Sequence, residues 1–266
     1  MIPSPWILFP QPNPQADVRL FCFSHAGAGA SIFRPWAALT ASTAKSTDTD
    51  IEATEIAIEV CAVQRPGREN RLSETPYRNV TALVHQMHPQ LLPYLDRPFV
   101  CFGHSVGALI CFEWVRHLQQ QLGPLPLALF VSSRQAPQIP VALPWTHTLS
   151  RNDLLSELRS YGGTPEAVLK SRDFMDLYLP ILRADLAIHE AYAYSPAEPL
   201  PIPISAFGGL QDSKVSKASL EAWTQQTTQD FRLRLFPGGH LFIKDSAAGI
   251  LQAIAQDISL AQVAQS

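Results

Sequence analysis

Blocks of like charge are missing from this 266-residue sequence: 20 Lys and Arg face 23 Asp and Glu, for a formal net charge of −3. Without a basic patch to displace counterions, neither a nucleic acid nor an anionic membrane is expected as a partner. Cysteine is scarce as well, with four residues and no CxxC spacing for zinc or redox chemistry. Cys22, Cys61, Cys101 and Cys111 have strand-forming or apolar neighbours and read as small buried hydrophobes, not as a secreted disulfide framework. The opening Met1-Ile2-Pro3-Ser4-Pro5-Trp6 has no basic n-region and is broken by prolines. It reads as neither signal peptide nor membrane anchor, so a cytoplasmic location is expected. Gly-x-Gly-x-x-Gly and a Walker lysine are both missing, which argues against nucleotide binding. There is no internal repeat.

What is present is a globular composition, 46% hydrophobic and 16% charged, in a chain long enough to bury roughly three quarters of its unfolded surface around one core. A single domain over 1–266 is the expectation. Short apolar runs bounded by Gly, Pro or Asp mark strands at 19–23, 56–63, 99–102, 128–132, 204–207 and 231–236. Amphipathic stretches at 82–95, 108–122, 219–227 and 247–261 read as the helices between them. This alternation is that of an α/β fold, a mostly parallel central sheet with helices on both faces.

Two segments break the rhythm. Residues 41–54 are rich in Ser, Thr, Ala and Asp without apolar periodicity and read as a mobile surface loop. Residues 135–194 carry helical patterns between two strands, with Asn152 or Asp153 as one N-cap and Thr164-Pro165-Glu166 as another helix start, and are expected to form a helical lid insertion. Within it Leu177, Ile181 and Ile188, beside Phe174 and Tyr178, line up at helical spacing. The stripe has two readings, acyl-pocket lining or plain core packing.

The chemistry centres on Gly103-His104-Ser105-Val106-Gly107. Gly-x-Ser-x-Gly alone is a weak signal, but here a strand candidate ends at Gly103 and a helix candidate begins at Ala108. This is the strand–turn–helix setting in which a serine is held exposed as a nucleophile. Its hydroxyl needs a base to take the proton. With the chain order serine, acid, histidine, four histidines remain after Ser105: His117 on the helix following it, His147 and His189 in the insertion, and His240. His240 follows the 231–236 strand through Pro237-Gly238-Gly239, at a strand's carboxyl end where ligands bind in open α/β sheets. Asp212 leaves the preceding strand in the matching position to orient the imidazole. Its rivals Asp185 and Asp245 read as solvated helix charges. Two backbone N–H groups are needed for the oxyanion. Val106, directly after the nucleophile, and Ala26, in the Ser24-His25-Ala26-Gly27-Ala28-Gly29-Ala30 loop, are the candidates.

These residues, with Phe33-Arg34-Pro35-Trp36, Pro66-Gly67-Arg68-Glu69, Arg183-Ala184-Asp185, Ala206-Phe207-Gly208-Gly209 and Phe236-Pro237-Gly238-Gly239-His240, resemble the discrete type II thioesterases that accompany nonribosomal peptide and polyketide synthases. The resemblance covers nearly the whole chain. It implies the α/β-hydrolase fold, a Ser105–His240–Asp212 triad, Ala26 and Val106 as oxyanion donors, and a mobile lid at 135–194. The implied activity is hydrolysis of acyl groups from the phosphopantetheine thiol of carrier proteins, acting in trans with the carrier docked near the lid. No metal or bound cofactor is implied, and a monomer is the default expectation. Against the family pattern, Ser24 stands where proline or alanine is common, Arg65 replaces a common leucine, and 41–54 is longer than usual. Arg68 and Glu69 are open to a binding role or to a role as an ion pair or loop anchor. Two other functions fit the same residues: a medium-chain fatty acyl carrier protein thioesterase, and a noncatalytic carrier-binding protein, against which an intact Ser/Asp/His set argues.

Overall fold

Period-two alternation organises the molecule. A computed structural model describes residues 4–43, 56–142, 144–161 and 164–263. Its strands β1 (Ile7–Leu8), β2 (Val18–Phe23), β3 (Ile58–Val63), β4 (Phe99–His104), β5 (Leu129–Ser132), β6 (Ile204–Gly209) and β7 (Phe231–Phe236) form one sheet in the order β1-β3-β2-β4-β5-β6-β7. Every neighbouring pair is parallel except β1 with β3. All six expected strands are present. The antiparallel β1 is an addition, invisible as a pattern because it has two half-buried residues in a proline-broken segment. β4 and β6 each run two residues past their apolar runs, to His104 and Gly209, which carries the ladder up to the loops at the carboxyl edge.

Alternate side chains on the strands feed two cores, as a sheet covered on both faces requires. Phe21, Phe23, Cys61, Val63, Cys101, Leu129 and Val131 point to one side, where they meet helices α2 (Val80–Leu91) and α3 (Val106–Gln120). Leu20, Cys22, Val60, Ala62, Val100, Phe102, Phe130 and Phe207 point to the other, toward α1 (Arg34–Thr43) and a long C-terminal helix over Ala247–Val263. All four cysteines are buried and free. Among the described residues no helix is long and apolar enough to cross a membrane.

The helix at Arg34–Thr43 was not legible from periodicity. It opens with Pro35, which the first turn tolerates, buries Trp36 and Ala37, and ends in the Ala- and Thr-rich stretch read as the start of a loop. Residues 41–43 thus belong to α1, and the rest of the expected 41–54 loop lies outside the described residues. Between β5 and β6 run α4 (Arg151–Tyr161), α5 (Glu166–Lys170) and α6 (Arg172–Glu190), with a small core of their own made by Leu154, Leu158, Leu169, Met175, Leu179, Leu182 and Leu186. The cap of α4 is Ser150, not Asn152 or Asp153. Ser150 Oγ accepts the Asp153 N–H at 3.2 Å, as an N-cap side chain does, and donates to the Asp153 carboxylate at 2.6 Å. Beyond β6, α7 (Lys217–Glu221) tightens into a 3₁₀ turn at Ala222–Gln226, and the long C-terminal helix completes the series as α8.

Candidate active site

Ser105 sits between the last residue of β4 and the first of α3, with φ 55° and ψ −119°. A non-glycine residue in this region costs of order 1–3 kcal/mol and persists only where the surroundings enforce it. Two glycines do so here. A Cβ on Gly103 would stand 2.3 Å from the Gly107 carbonyl oxygen, and one on Gly107 would stand 2.2 Å from that of Phe23. The turn is therefore clamped against both its own helix and the end of β2, and β2 feeds the 24–29 loop.

His240 Nε2 lies 3.1 Å from Ser105 Oγ, and His240 Nδ1 lies 3.0 Å from Asp212 Oδ2. The histidine and the aspartate stand on the exit loops of neighbouring strands β7 and β6. Gly209 lets those loops touch, since a Cβ there would stand 2.4 Å from the Gly239 carbonyl oxygen. Asp212 Oδ1 accepts the N–H groups of Lys214 and Val215, while Oδ2 also accepts the Ser133 hydroxyl at 3.0 Å. Burial opposes the carboxylate, but the hydrogen bond and charge of His240, with these further donors, outweigh it and hold Asp212 below the usual carboxylate range.

His104, set aside by chain order as a base, anchors His240 instead. Its Nδ1 meets Ser132 Oγ at 2.8 Å and its Nε2 meets the His240 carbonyl at 2.9 Å. Burial and the neighbouring His240 and His25 lower its pKa, so it is neutral near pH 7. Neither His104 nor Ser133 announces this role in sequence beyond lying at the carboxyl ends of adjacent strands. Of the other histidines considered as the base, His147 is bonded to Glu190 at 2.6 Å, His117 packs on His85 and His88, and His189 lines the same cavity as Ser105 but faces Arg134.

The Val106 N–H opens the first turn of α3, and the Ala26 N–H lies in the loop after β2. Among the described residues neither donates to an acceptor. The 24–29 loop around Ala26 is held at nearly every other polar position. Arg65 Nη2 donates to the Ser24 and His25 carbonyls at 3.2 and 3.0 Å, Arg68 Nη1 donates to the Ala28 carbonyl at 3.1 Å, and Asp185 Oδ2 accepts the Gly27 N–H at 2.8 Å. Asp185 accepts from both arginines, 2.7 Å from Arg65 Nη1 and 2.7 Å from Arg68 Nη1. Its reading as a solvated helix charge is therefore overturned, because the residue is 1% exposed. Asp245 is exposed, as expected. Arg68 and Glu69 act as anchors: Glu69 Oε1 takes the Ser31 hydroxyl at 2.5 Å, fixing the far end of the same loop. Two of the three departures from the expected pattern, Ser24 and Arg65, meet in one contact, Arg65 Nη2 lying 3.3 Å from Ser24 Oγ.

Two guanidinium groups share one carboxylate here, and burial together with repulsion from Arg68 lowers Arg65 to about 9. Asp185→Asn removes the one carboxylate that, among the described residues, pairs with them. Breaking a buried ion pair from one side costs about 3–5 kcal/mol, so a fall in stability of that size is expected in chemical denaturation, with a weaker loss for Arg65→Met.

Ser105, His240, Ala26 and Val106 open into a cavity of about 300 Å³ roofed by Leu154, Leu158 and Tyr161 of α4 and Tyr178, Leu182 and Leu186 of α6. Of the residues singled out on α6, Tyr178 lines it, whereas Phe174, Leu177, Ile181 and Ile188 do not. Leu177 is exposed, Ile181 and Ile188 are packed in the interior, and the cavity face is the row at 178, 182, 186 and 189, one position further along the helix. On a long helix with apolar residues on more than one face, spacing alone does not select between adjacent rows.

The thioesterase-domain family matches residues 18–259. The gramicidin S biosynthesis protein GrsT of Aneurinibacillus migulanus is 39% identical over 255 residues, covering 96% of this chain and 94% of that protein. The medium-chain S-acyl fatty acid synthase thioesterase of Homo sapiens is 32% identical over 244 residues, covering 88% and 84%. The structure of the type II thioesterase BorB from the borrelidin biosynthetic cluster aligns with a TM-score of 0.81 at 34% identity, over 95% of this chain and 97% of that one. Matched along nearly its whole length by sequence and by fold, the chain belongs to the thioesterase family, as a type II member with the α/β-hydrolase fold that hydrolyses thioesters.

Proposed function

We propose that the protein removes acyl groups from the phosphopantetheine thiol of carrier proteins of a nonribosomal peptide or polyketide synthase, acting in trans through Ser105, His240 and Asp212. The observation that carries the mechanism is the unbroken relay from Ser105 Oγ to His240 Nε2 at 3.1 Å and from His240 Nδ1 to Asp212 Oδ2 at 3.0 Å, opening on a cavity with apolar walls. His240 takes the hydroxyl proton as Oγ attacks the thioester carbon. The oxyanion is received by the N–H groups of Ala26 and Val106, each such donor contributing about 3–4 kcal/mol to the barrier reduction. Collapse expels the thiol, which leaves with the proton from His240. Water, deprotonated by the same imidazole, then releases the acid and restores Ser105. No step needs a metal or a bound cofactor. Helices α4–α6 serve as the lid, and the carrier docks beside them.

The similarity to the solved type II thioesterase YbtT from the yersiniabactin nonribosomal peptide and polyketide synthase pathway, 26% identical with a TM-score of 0.81, supports this partner class. The similarity to a medium-chain fatty acid synthase thioesterase supports a second reading, release of medium-chain fatty acids. Incubating the protein with acetyl, aminoacyl and decanoyl carrier domains, scored by intact-protein mass, separates the two. Faster clearance of acetyl and aminoacyl groups is expected, and a marked decanoyl preference would favour the second reading.

A further inference from the structure

Among the described residues six arginines are buried: Arg19, Arg65, Arg68, Arg71, Arg116 and Arg134. Five of them have a carboxylate partner, in Glu59, Asp185, Glu74 or Glu113. Arg134, 2% exposed, forms no ion pair among the described residues. The contact of its guanidinium is Nη1 to His189 Nε2 at 3.4 Å, and Nε has no hydrogen-bond partner. If His189 Nε2 accepts from the arginine, the proton of the ring is on Nδ1, and that atom is also buried without a partner. The site thus holds one uncompensated cation and two unused donors. Burial lowers Arg134 to about 10, which leaves it charged at neutral pH.

Arg134 is held in place from behind, because its carbonyl accepts the Trp223 Nε1–H at 2.8 Å. It directly follows Ser133, the residue bonded to Asp212, and both Arg134 and His189 line the cavity that holds Ser105. A buried cation without a counter-charge is costly unless something completes it. Leu154, Leu158, Leu182 and Leu186 in the walls suit a plain acyl chain and give no reason for a guanidinium, and the carboxylate in the lining, Glu157, is paired with Lys214 at 2.6 Å.

We infer that Arg134 and His189 form a carboxylate-binding subsite inside the acyl cavity, so that acyl groups carrying a second, distal carboxylate are preferred over plain alkyl chains of the same length. This rests on the thioesterase reading of Ser105 and specifies its substrate class. The guanidinium would take the carboxylate through charge-assisted hydrogen bonds, and the His189 Nδ1–H would supply a further donor.

The test compares N-acetylcysteamine thioesters of hexanoate, adipate and monomethyl adipate on the full chain. The adipoyl thioester is expected to exceed hexanoyl in kcat/KM by roughly tenfold or more, with the methyl ester close to hexanoyl. In Arg134→Met the adipoyl-to-hexanoyl ratio should fall to about one or below, and Arg134→Lys should restore part of it. Thermal melting checks that each variant is folded, and the wild-type ratio stands even if Arg134→Met is not. Equal rates for the three wild-type substrates, or a preference that survives Arg134→Met, overturns the subsite. If the wild type hydrolyses none of them, the reading of Ser105 fails instead, and calorimetric binding of adipate against hexanoate then decides the subsite.

Discussion

Ser105→Ala is expected to lower kcat for thioester hydrolysis by about 10⁵-fold or more while leaving the fold intact. The size follows from how such groups act: removing the nucleophile alone costs nearly as much as removing the whole catalytic set, and what remains comes from oxyanion stabilisation and binding. Those remaining parts do not depend on Oγ here. The Val106 N–H is placed by the start of α3, and the Ala26 loop is placed by Arg65, Arg68 and Asp185. The turn itself is enforced by the close approaches at Gly103 and Gly107, which the substitution does not alter. Alanine meets the same backbone strain as serine, and Oγ gives up only the 3.1 Å contact to His240. A melting temperature within a few degrees of wild type is therefore expected. The decisive measurement is mass spectrometry of the intact protein after mixing with a slowly hydrolysed thioester. Wild type should gain one acyl group and Ser105→Ala none. Turnover within tenfold of wild type in the folded variant would remove Ser105 from the reaction.

Much of this site was legible because its signals are local. The Ser105 turn is written in five consecutive residues between a strand and a helix, and β6 and β7 each end in a short glycine-containing loop carrying one functional side chain. Chain order then assigned Asp212 and His240 without any distance. What stayed hidden depends on contacts between residues far apart in sequence. Asp185 lies 120 residues from Arg65 and 158 from Gly27, and nothing in an Arg-Ala-Asp triplet on a helix distinguishes a buried anchor from a solvated charge. The same limit applies to His104. Its position inside the elbow was plain, but its bond to the His240 carbonyl spans 136 residues. Of the cavity row of α6 Tyr178 was legible, but Leu182, Leu186 and His189 were missed for a different reason, since two adjacent rows on one helix are both apolar and only the packing against α4 and the Gly27 loop selects between them. There a Cβ on Gly27 would stand 2.1 Å from Tyr178 Oη, so the helix and the loop leave each other no space.

Asp212→Asn is expected to lower kcat by about 10³–10⁴-fold with little change in KM or stability, and the hydrogen bonds around the carboxylate give the reason. Asp212 Oδ1 accepts two backbone N–H groups, from Lys214 at 2.8 Å and from Val215 at 3.2 Å, so this position must remain an oxygen. In asparagine the amide oxygen takes it, and the NH₂ group is left where Oδ2 was, facing His240 Nδ1 and Ser133 Oγ. The amide then donates to Nδ1, and the imidazole carries its proton on Nε2. Nε2 is the atom 3.1 Å from Ser105 Oγ, and in that tautomer it cannot accept the serine proton. The geometry survives while the base is disabled, as expected where a carboxylate's part is to set tautomer and stabilise imidazolium. Asp185→Asn should behave in the opposite way, with a large loss of stability and a smaller loss of turnover in the molecules that remain folded. Nitrogen chemical shifts of His240 provide the readout that a merely structural role would not move: protonation at Nδ1 in wild type and at Nε2 in Asp212→Asn. If Asp185→Asn alone abolished turnover in a stably folded protein while Asp212→Asn retained it, the acid would be Asp185.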